Sequence, residues 1–380
     1  MDGILVLEDG RWFRGHRFGA REVASGEVVF NTSMQGYQEI LTDPSYVGQV
    51  VVLTSSHVGN YGVNRDDPES GRVCASGLVV RDHHAHPSNW RSDRSLDDEL
   101  RDHGVPGLGG VDTRALTLHL RDHGAQRGVI ADWPADSDLA LGGWARQLDA
   151  SPDLAGLVAR ARKAPSMTGR NLAREVTCRA PWTAGEATAR WHVVCIDFGI
   201  KRNIVRQLLA RGCRVTVVPA DTGPDEVLAL RPDGVVLSNG PGDPEPVTTA
   251  QHTIRALLGR VPMFGICLGH QLLALALGGR TYKLPFGHRG GNHPVRDLET
   301  GRVEITAQNH GFAVLASSLD GRQVTVTHVN LNDDTVEGLR HRHLAAFSVQ
   351  FHPEGAPGPH DSHHLFARFV QQMARFAGAR

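Results

Sequence analysis

Through the first 150 positions, short apolar runs are closed by turn residues. Residues 4–7, 27–30, 49–54 and 77–81 have the length and composition of strands, while 114–123 carries helical spacing, with Asp112 or Thr113 as cap and Gly124 as stop. Periodicity is lost beyond Lys163, where Ala, Thr, Gly, Arg and two prolines collect, and a linker is expected there. The second half has a different rhythm. Residues 192–197, 214–219, 235–238 and 263–266 read as strands, and 201–211, 248–259 and 268–277 as helices. Strands alternating with helices at this spacing predict a mostly parallel sheet flanked by helices, with ligands bound beyond the carboxyl ends of its strands. The expected fold is therefore α/β, with a strand-rich α/β N-terminal domain over 1–150, a linker over 151–190 and a second α/β domain over 191–380.

Length and charge narrow the function. A chain of 380 residues fits two domains. With 40 Lys+Arg against 41 Asp+Glu it has no basic excess with which to grip a phosphate backbone, so a nucleic-acid binder is not expected. The most apolar stretch, 263–279, is interrupted by His270 and Gln271 and falls short of a bilayer span. Acidic Asp2, Glu8 and Asp9 do not make a secretory signal. Five scattered cysteines without CxxC spacing argue against a disulfide framework or a cysteine zinc site. A reducing cytoplasm is the expected compartment.

Candidate chemistry lies where the second-half strands end. Residues 265–269, GICLG, have the pattern of a strand-to-helix elbow whose small flanking residues permit a sharp turn and thrust Cys267 outward. The helix N-terminus that follows favours a thiolate. A buried, inert thiol is the competing reading of Cys267. Downstream, a strand over 345–351 ends in His352, Pro353 and Glu354. In extended chain the first and third of these share a side, so Glu354 can orient the ring of His352 while it exchanges a proton with Cys267. Residues 239–244, NGPGDP, offer backbone N–H groups for an oxyanion hole completed by Leu268, or else an ordinary turn. The histidines of 82–86, DHHAH, could attract a metal but read as solvated loop positions, and no metal site is expected.

Together these pieces resemble the class I glutamine amidotransferases, and the likeness is closer to the small, glutaminase subunits of carbamoyl-phosphate synthetase. It is carried by FGHRGGNHP at 286–294, QNHGFAV at 308–314 and the run 347–359 with Asp361. In the first half it is carried by FNTSMQGYQEILTDPSY at 30–46, HVGN at 57–60 and GVDTRALT at 110–117. The resemblance implies Cys267 as nucleophile, His352 as general base and acid, and Glu354 as its orienter. It implies that L-glutamine is held by Ser45, Gly240, Gly242, Leu268, Gln271, Asn309, Gly311 and Phe312. Glutamine would be hydrolysed through a thioester to glutamate and ammonia. A large synthetase subunit, the expected partner, would receive the ammonia and make carbamoyl phosphate from bicarbonate and ATP, for arginine and pyrimidine synthesis.

No cofactor is expected on this chain; ATP and a divalent metal belong to the large subunit. The lysines agree, since Lys163, Lys201 and Lys283 are the only ones and none stands in a Gly-Lys-[Ser/Thr] phosphate loop. Glutaminases of other amidotransferases would lack the first-half motifs. A regulatory module that had lost its chemistry would not need Cys267, His352 and Glu354 intact, and a cysteine peptidase would not need the run 309–312.

Overall fold

The computed structural model describes residues 2–133 and 152–378. Its contacts divide into two units, Met1–Met167 with Pro285–Gly287, and Thr168–Leu284 with His288–Arg380.

In the first unit the strands close into a barrel. Around it run Asp2–Leu7, Trp12–Gly19, Pro106–Gly109, Gly77–Val79, Gln49–Leu53, Ala24–Asn31 and Gln126–Asp132, the last pairing back to the first. Both faces of Gln49–Leu53 are covered, so the strand is apolar almost throughout. Val50 and Val52 enter one core with Leu5 and Ile130, while Val51 and Leu53 enter another with Tyr37 and Tyr46. Helix Thr113–His123 begins where Asp112 accepts the Ala115 N–H at 2.9 Å and ends at Gly124, whose φ is 87°.

The segment expected as a linker, 151–190, carries regular structure. Helix Pro152–Lys163 occupies its first third, and Leu154, Val158 and Ala161 of that helix pack with Ile4, Val6, Trp12, Val129 and Ala131 of the barrel. The chain passes between units at Met167, and within the remainder Trp182–Ala184 pairs as an edge strand with Cys213–Pro219. An amphipathic helix so rich in Ala and Arg shows little apolar contrast until its partner surface is known.

In the second unit, five strands run parallel in the spatial order Cys213–Pro219, Trp191–Asp197, Gly234–Leu237, Met263–Ile266 and Ala346–Val349. Alternation again feeds two cores. Val194, Ile196, Val235 and Leu237 meet residues of helices Thr248–Leu257 and Leu268–Ala276. Val193, Cys195, Val236 and Phe264 meet helices Arg202–Leu209 and His364–Gly378. Beyond Ala346–Val349 the sheet continues antiparallel through Val336–His341, Val324–Asn330, Thr281–Asp297 and Val303–Val314. No described helix is long and apolar enough to cross a membrane.

Candidate active site

The carboxyl ends of the parallel strands carry the chemistry. Between strand Met263–Ile266 and helix Leu268–Ala276, Cys267 takes φ 52° and ψ −104°, a conformation costing about 1–3 kcal/mol for a residue with a side chain. Its N–H is fixed by the Val349 carbonyl at 2.9 Å. The turn closes because its flanking residues lack side chains. A Cβ on Gly269 would stand 2.1 Å from the Leu237 carbonyl oxygen, and one on Gly265 would stand 2.7 Å from that of Gly269. At the first helical position, the Leu268 N–H has no carbonyl a turn earlier in the helix to accept it, as an oxyanion donor requires.

The thiol is buried but has polar neighbours. It donates weakly to the Asn309 carbonyl at 3.6 Å and accepts from Gln350 Nε2 at 3.7 Å. Gln350, wholly buried, in turn accepts from Gln271 Nε2 at 3.0 Å, and the same Gln271 nitrogen donates to the Phe312 carbonyl at 2.8 Å. Two glutamine side chains thus tie Cys267 to the strand Val303–Val314 that carries Asn309, Gly311 and Phe312. Gly240 and Gly242 lie in the turn after Gly234–Leu237, the latter at φ 89°. That turn is tied to the one after Trp191–Asp197, where Asn239 Oδ1 accepts the Lys201 N–H at 3.1 Å. Ser45 belongs to the first unit, buried in the turn Pro44–Tyr46, where its N–H donates to Asp43 at 2.9 Å.

His352 and Glu354 meet, though not by strand alternation. Strand Ala346–Val349 ends before them, and a turn closed by Gly355 N–H to the His352 carbonyl at 3.2 Å folds one toward the other. The His352 Nδ1–H donates to Glu354 Oε1 at 2.7 Å, while its Nε2, also buried, has no hydrogen-bond partner among the described residues. The nitrogen that would exchange a proton with the thiol is therefore the one left available.

Burial works against a charge on this ring. Glu354 opposes it, with help from Cys267, and the balance pushes His352 up to about 10 in spite of repulsion from Lys201. Burial likewise favours the neutral acid at Glu354, yet Lys201 and His352 together hold the carboxyl well below its ordinary range.

Lys201 was not singled out as a site residue by sequence reasoning, which used it only to exclude a phosphate loop. Its ammonium is almost fully buried, donates to Glu354 Oε1 at 2.8 Å and also donates to the Ala356 carbonyl. One of only three lysines in a chain rich in arginine was the available signal, but nothing local connects it to a glutamate 153 positions later. Gln350, within the run 347–359, was missed for the same reason.

A cysteine elbow on a parallel sheet, with a buried His–Glu pair at the next strand end, is the layout of an amidotransferase. The family model for glutamine amidotransferase class-I matches residues 194–372, and that for the carbamoyl-phosphate synthase small chain, CPSase domain, matches 5–130. The chain is 56% identical to the carbamoyl phosphate synthase small chain of Syntrophotalea carbinolica, over 99% of this chain and 98% of that one. To the small chain of Chlorobaculum tepidum it is 54% identical over 98% of both, and to that of Rhodopirellula baltica 50% over 98% and 97%. The chain belongs to the carbamoyl phosphate synthase small chain family, the glutamine-hydrolysing part of that synthetase.

Proposed function

We propose that Cys267, as thiolate, attacks the side-chain amide carbon of L-glutamine. Backbone N–H groups of Leu268 and of the Gly240–Gly242 turn stabilise the tetrahedral oxyanion, and His352 Nε2 gives its proton to the departing ammonia. Water deprotonated by the same nitrogen then releases glutamate from the thioester. Glu354 holds the imidazole in the tautomer this exchange needs, and Lys201 holds Glu354. The observation that carries this assignment is the pairing of a bonded His352 Nδ1 with an available, buried Nε2.

Within the second unit glutamine is held by Gly240, Gly242, Leu268, Gln271, Asn309, Gly311 and Phe312, with Gln350 backing Gln271. Ammonia passes to a large synthetase subunit in the cytoplasm. That subunit supplies ATP and divalent-metal chemistry, and catalysis by the small chain needs no cofactor of its own. Replacing Cys267 by Ser and assaying with the large subunit present tests the division of labour. Carbamoyl phosphate formation from glutamine should be lost and formation from free ammonia retained; loss of both would refute it.

A further inference from the structure

Three buried side chains converge in the antiparallel part of the second unit, two of them histidines whose rings meet edge to face with centroids 4.9 Å apart. His288 comes from Thr281–Asp297, His310 from Val303–Val314 and Glu337 from Val336–His341. One ring nitrogen of each histidine and a Glu337 carboxylate oxygen all lie within 4.8 Å of one another. From Glu337 Oε1 the distances are 3.8 Å to His288 Nδ1 and 4.0 Å to His310 Nε2. These are too long for hydrogen bonds, and both ring nitrogens are buried without a partner.

Their remaining contacts say which atoms carry lone pairs. His310 Nδ1 lies 2.8 Å from the Phe312 carbonyl, which can only accept, so Nδ1 bears the proton and Nε2 presents its lone pair to the gap. His288 Nε2 lies 2.9 Å from Asp333 Oδ2, so a proton sits there, and Nδ1, turned to the same gap, offers a lone pair when the ring is neutral. Glu337, fully buried, is aimed by Asn330 Nδ2 at 2.9 Å on Oε1 and Gln308 Nε2 at 3.0 Å on Oε2. Each potential ligand is thus oriented from behind by a second group, as metal-binding histidines and carboxylates commonly are. In a tetrahedral zinc site neighbouring N and O ligands stand about 3.3 Å apart, so an inward movement of less than 1 Å would complete the triad.

We propose that His288 Nδ1, His310 Nε2 and Glu337 Oε1 bind one divalent cation of nitrogen and oxygen preference, such as Zn²⁺. The ion pins together three strands, one of which presents Asn309, Gly311 and Phe312. Its role is structural and independent of the thiol chemistry. The competing occupant of the gap is a proton on His288 Nδ1, which would make the ring a cation between Asp333 and Glu337.

Full-length, tag-free protein stripped with a chelator would be titrated with ZnCl2 by calorimetry and with CoCl2 by visible absorption. One saturable equivalent is expected, with cobalt giving the intense d–d bands of a low-coordinate site and zinc raising the melting temperature. Glu337→Gln should weaken binding by about 100-fold, the upper end of what losing even a supporting group costs. Accommodating this amide requires the Gln308 amide to turn over, so that its unpartnered Oε1 replaces the Nε2 that now faces Glu337. His310→Asn gives a second variant should Glu337→Gln lower stability. Cys267→Ser, and replacement of the exposed pair His57 and His84, whose rings approach at 3.0 Å, should leave binding unchanged. Absence of saturable binding would overturn the proposal, as would binding that survives Glu337→Gln and His310→Asn or is lost with Cys267 or the His57–His84 pair.

Discussion

Lys201 Nζ and His352 Nδ1 share one acceptor, the Oε1 atom of Glu354, at 2.8 and 2.7 Å. The consequence is a charge balance. When a proton moves from Cys267 to His352, the buried group holds two positive and two negative charges and is neutral as a whole. Without Lys201 the same transfer would leave a net negative charge in a buried site, where an uncompensated charge is expensive.

Lys201→Met should therefore lower reactivity as well as stability. Loss of one partner from a buried pair costs about 3–5 kcal/mol, and the melting temperature should fall accordingly. Alkylation of Cys267 by iodoacetamide at neutral pH should slow by about tenfold or more, since thiolate reactivity depends on nearby positive charge. Carbamoyl phosphate formation from free ammonia, assayed with the large subunit, should be spared. An unchanged alkylation rate would show that Lys201 serves packing alone.

The raised value of His352 sets a pH window. In the unfolded chain a histidine titrates near 6.5, whereas here the ring is held up to about 10. A group raised on folding stabilises fully below its unfolded value and loses that contribution as pH climbs through its folded one. The melting-temperature advantage of the native chain over His352→Gln should be largest below about pH 6.5 and shrink toward pH 10. Glutaminase activity should keep its alkaline limb near 10, and Glu354→Gln should move that limb down by removing the main attraction that raises the ring. An unmoved limb would assign it to another group.

The elbow can be tested by one methyl group. Gly269→Ala puts a carbon 2.1 Å from the Leu237 carbonyl oxygen, a backbone atom that cannot rotate away. Destabilisation of about 1–3 kcal/mol or more is expected, together with loss of glutamine hydrolysis as the helix is displaced from the Gly234–Leu237 strand. Chemical denaturation and a glutaminase assay measure the two effects.

Leu154→Ala examines the segment that sequence spacing assigns to a linker. Leu154 is fully buried among Ile4, Val6 and Trp12, so truncation should cost about 2–5 kcal/mol. In a solvated linker the same change would be neutral in thermal unfolding.

Local patterns determined much of this molecule. Most strands of the parallel half are legible as short apolar runs, and helices Arg202–Leu209, Thr248–Leu257 and Leu268–Ala276 because a glycine follows each within three residues; helix Pro224–Ala229, six residues long, is not. The elbow at Cys267 is legible for a related reason: two small residues, a nucleophile and a helix start are all neighbours in the chain. His352 and Glu354 were readable as a pair from their spacing, although a turn, and not extended backbone, brings their atoms together. Tertiary structure alone decided the rest. It set Lys201 against Glu354, Gln350 beside Cys267, helix Pro152–Lys163 on the barrel, and His288, His310 and Glu337 around one gap. Those relationships join distant positions through the sheet's strand order, and a charge or lone pair has no partner until folding brings one within a few ångströms.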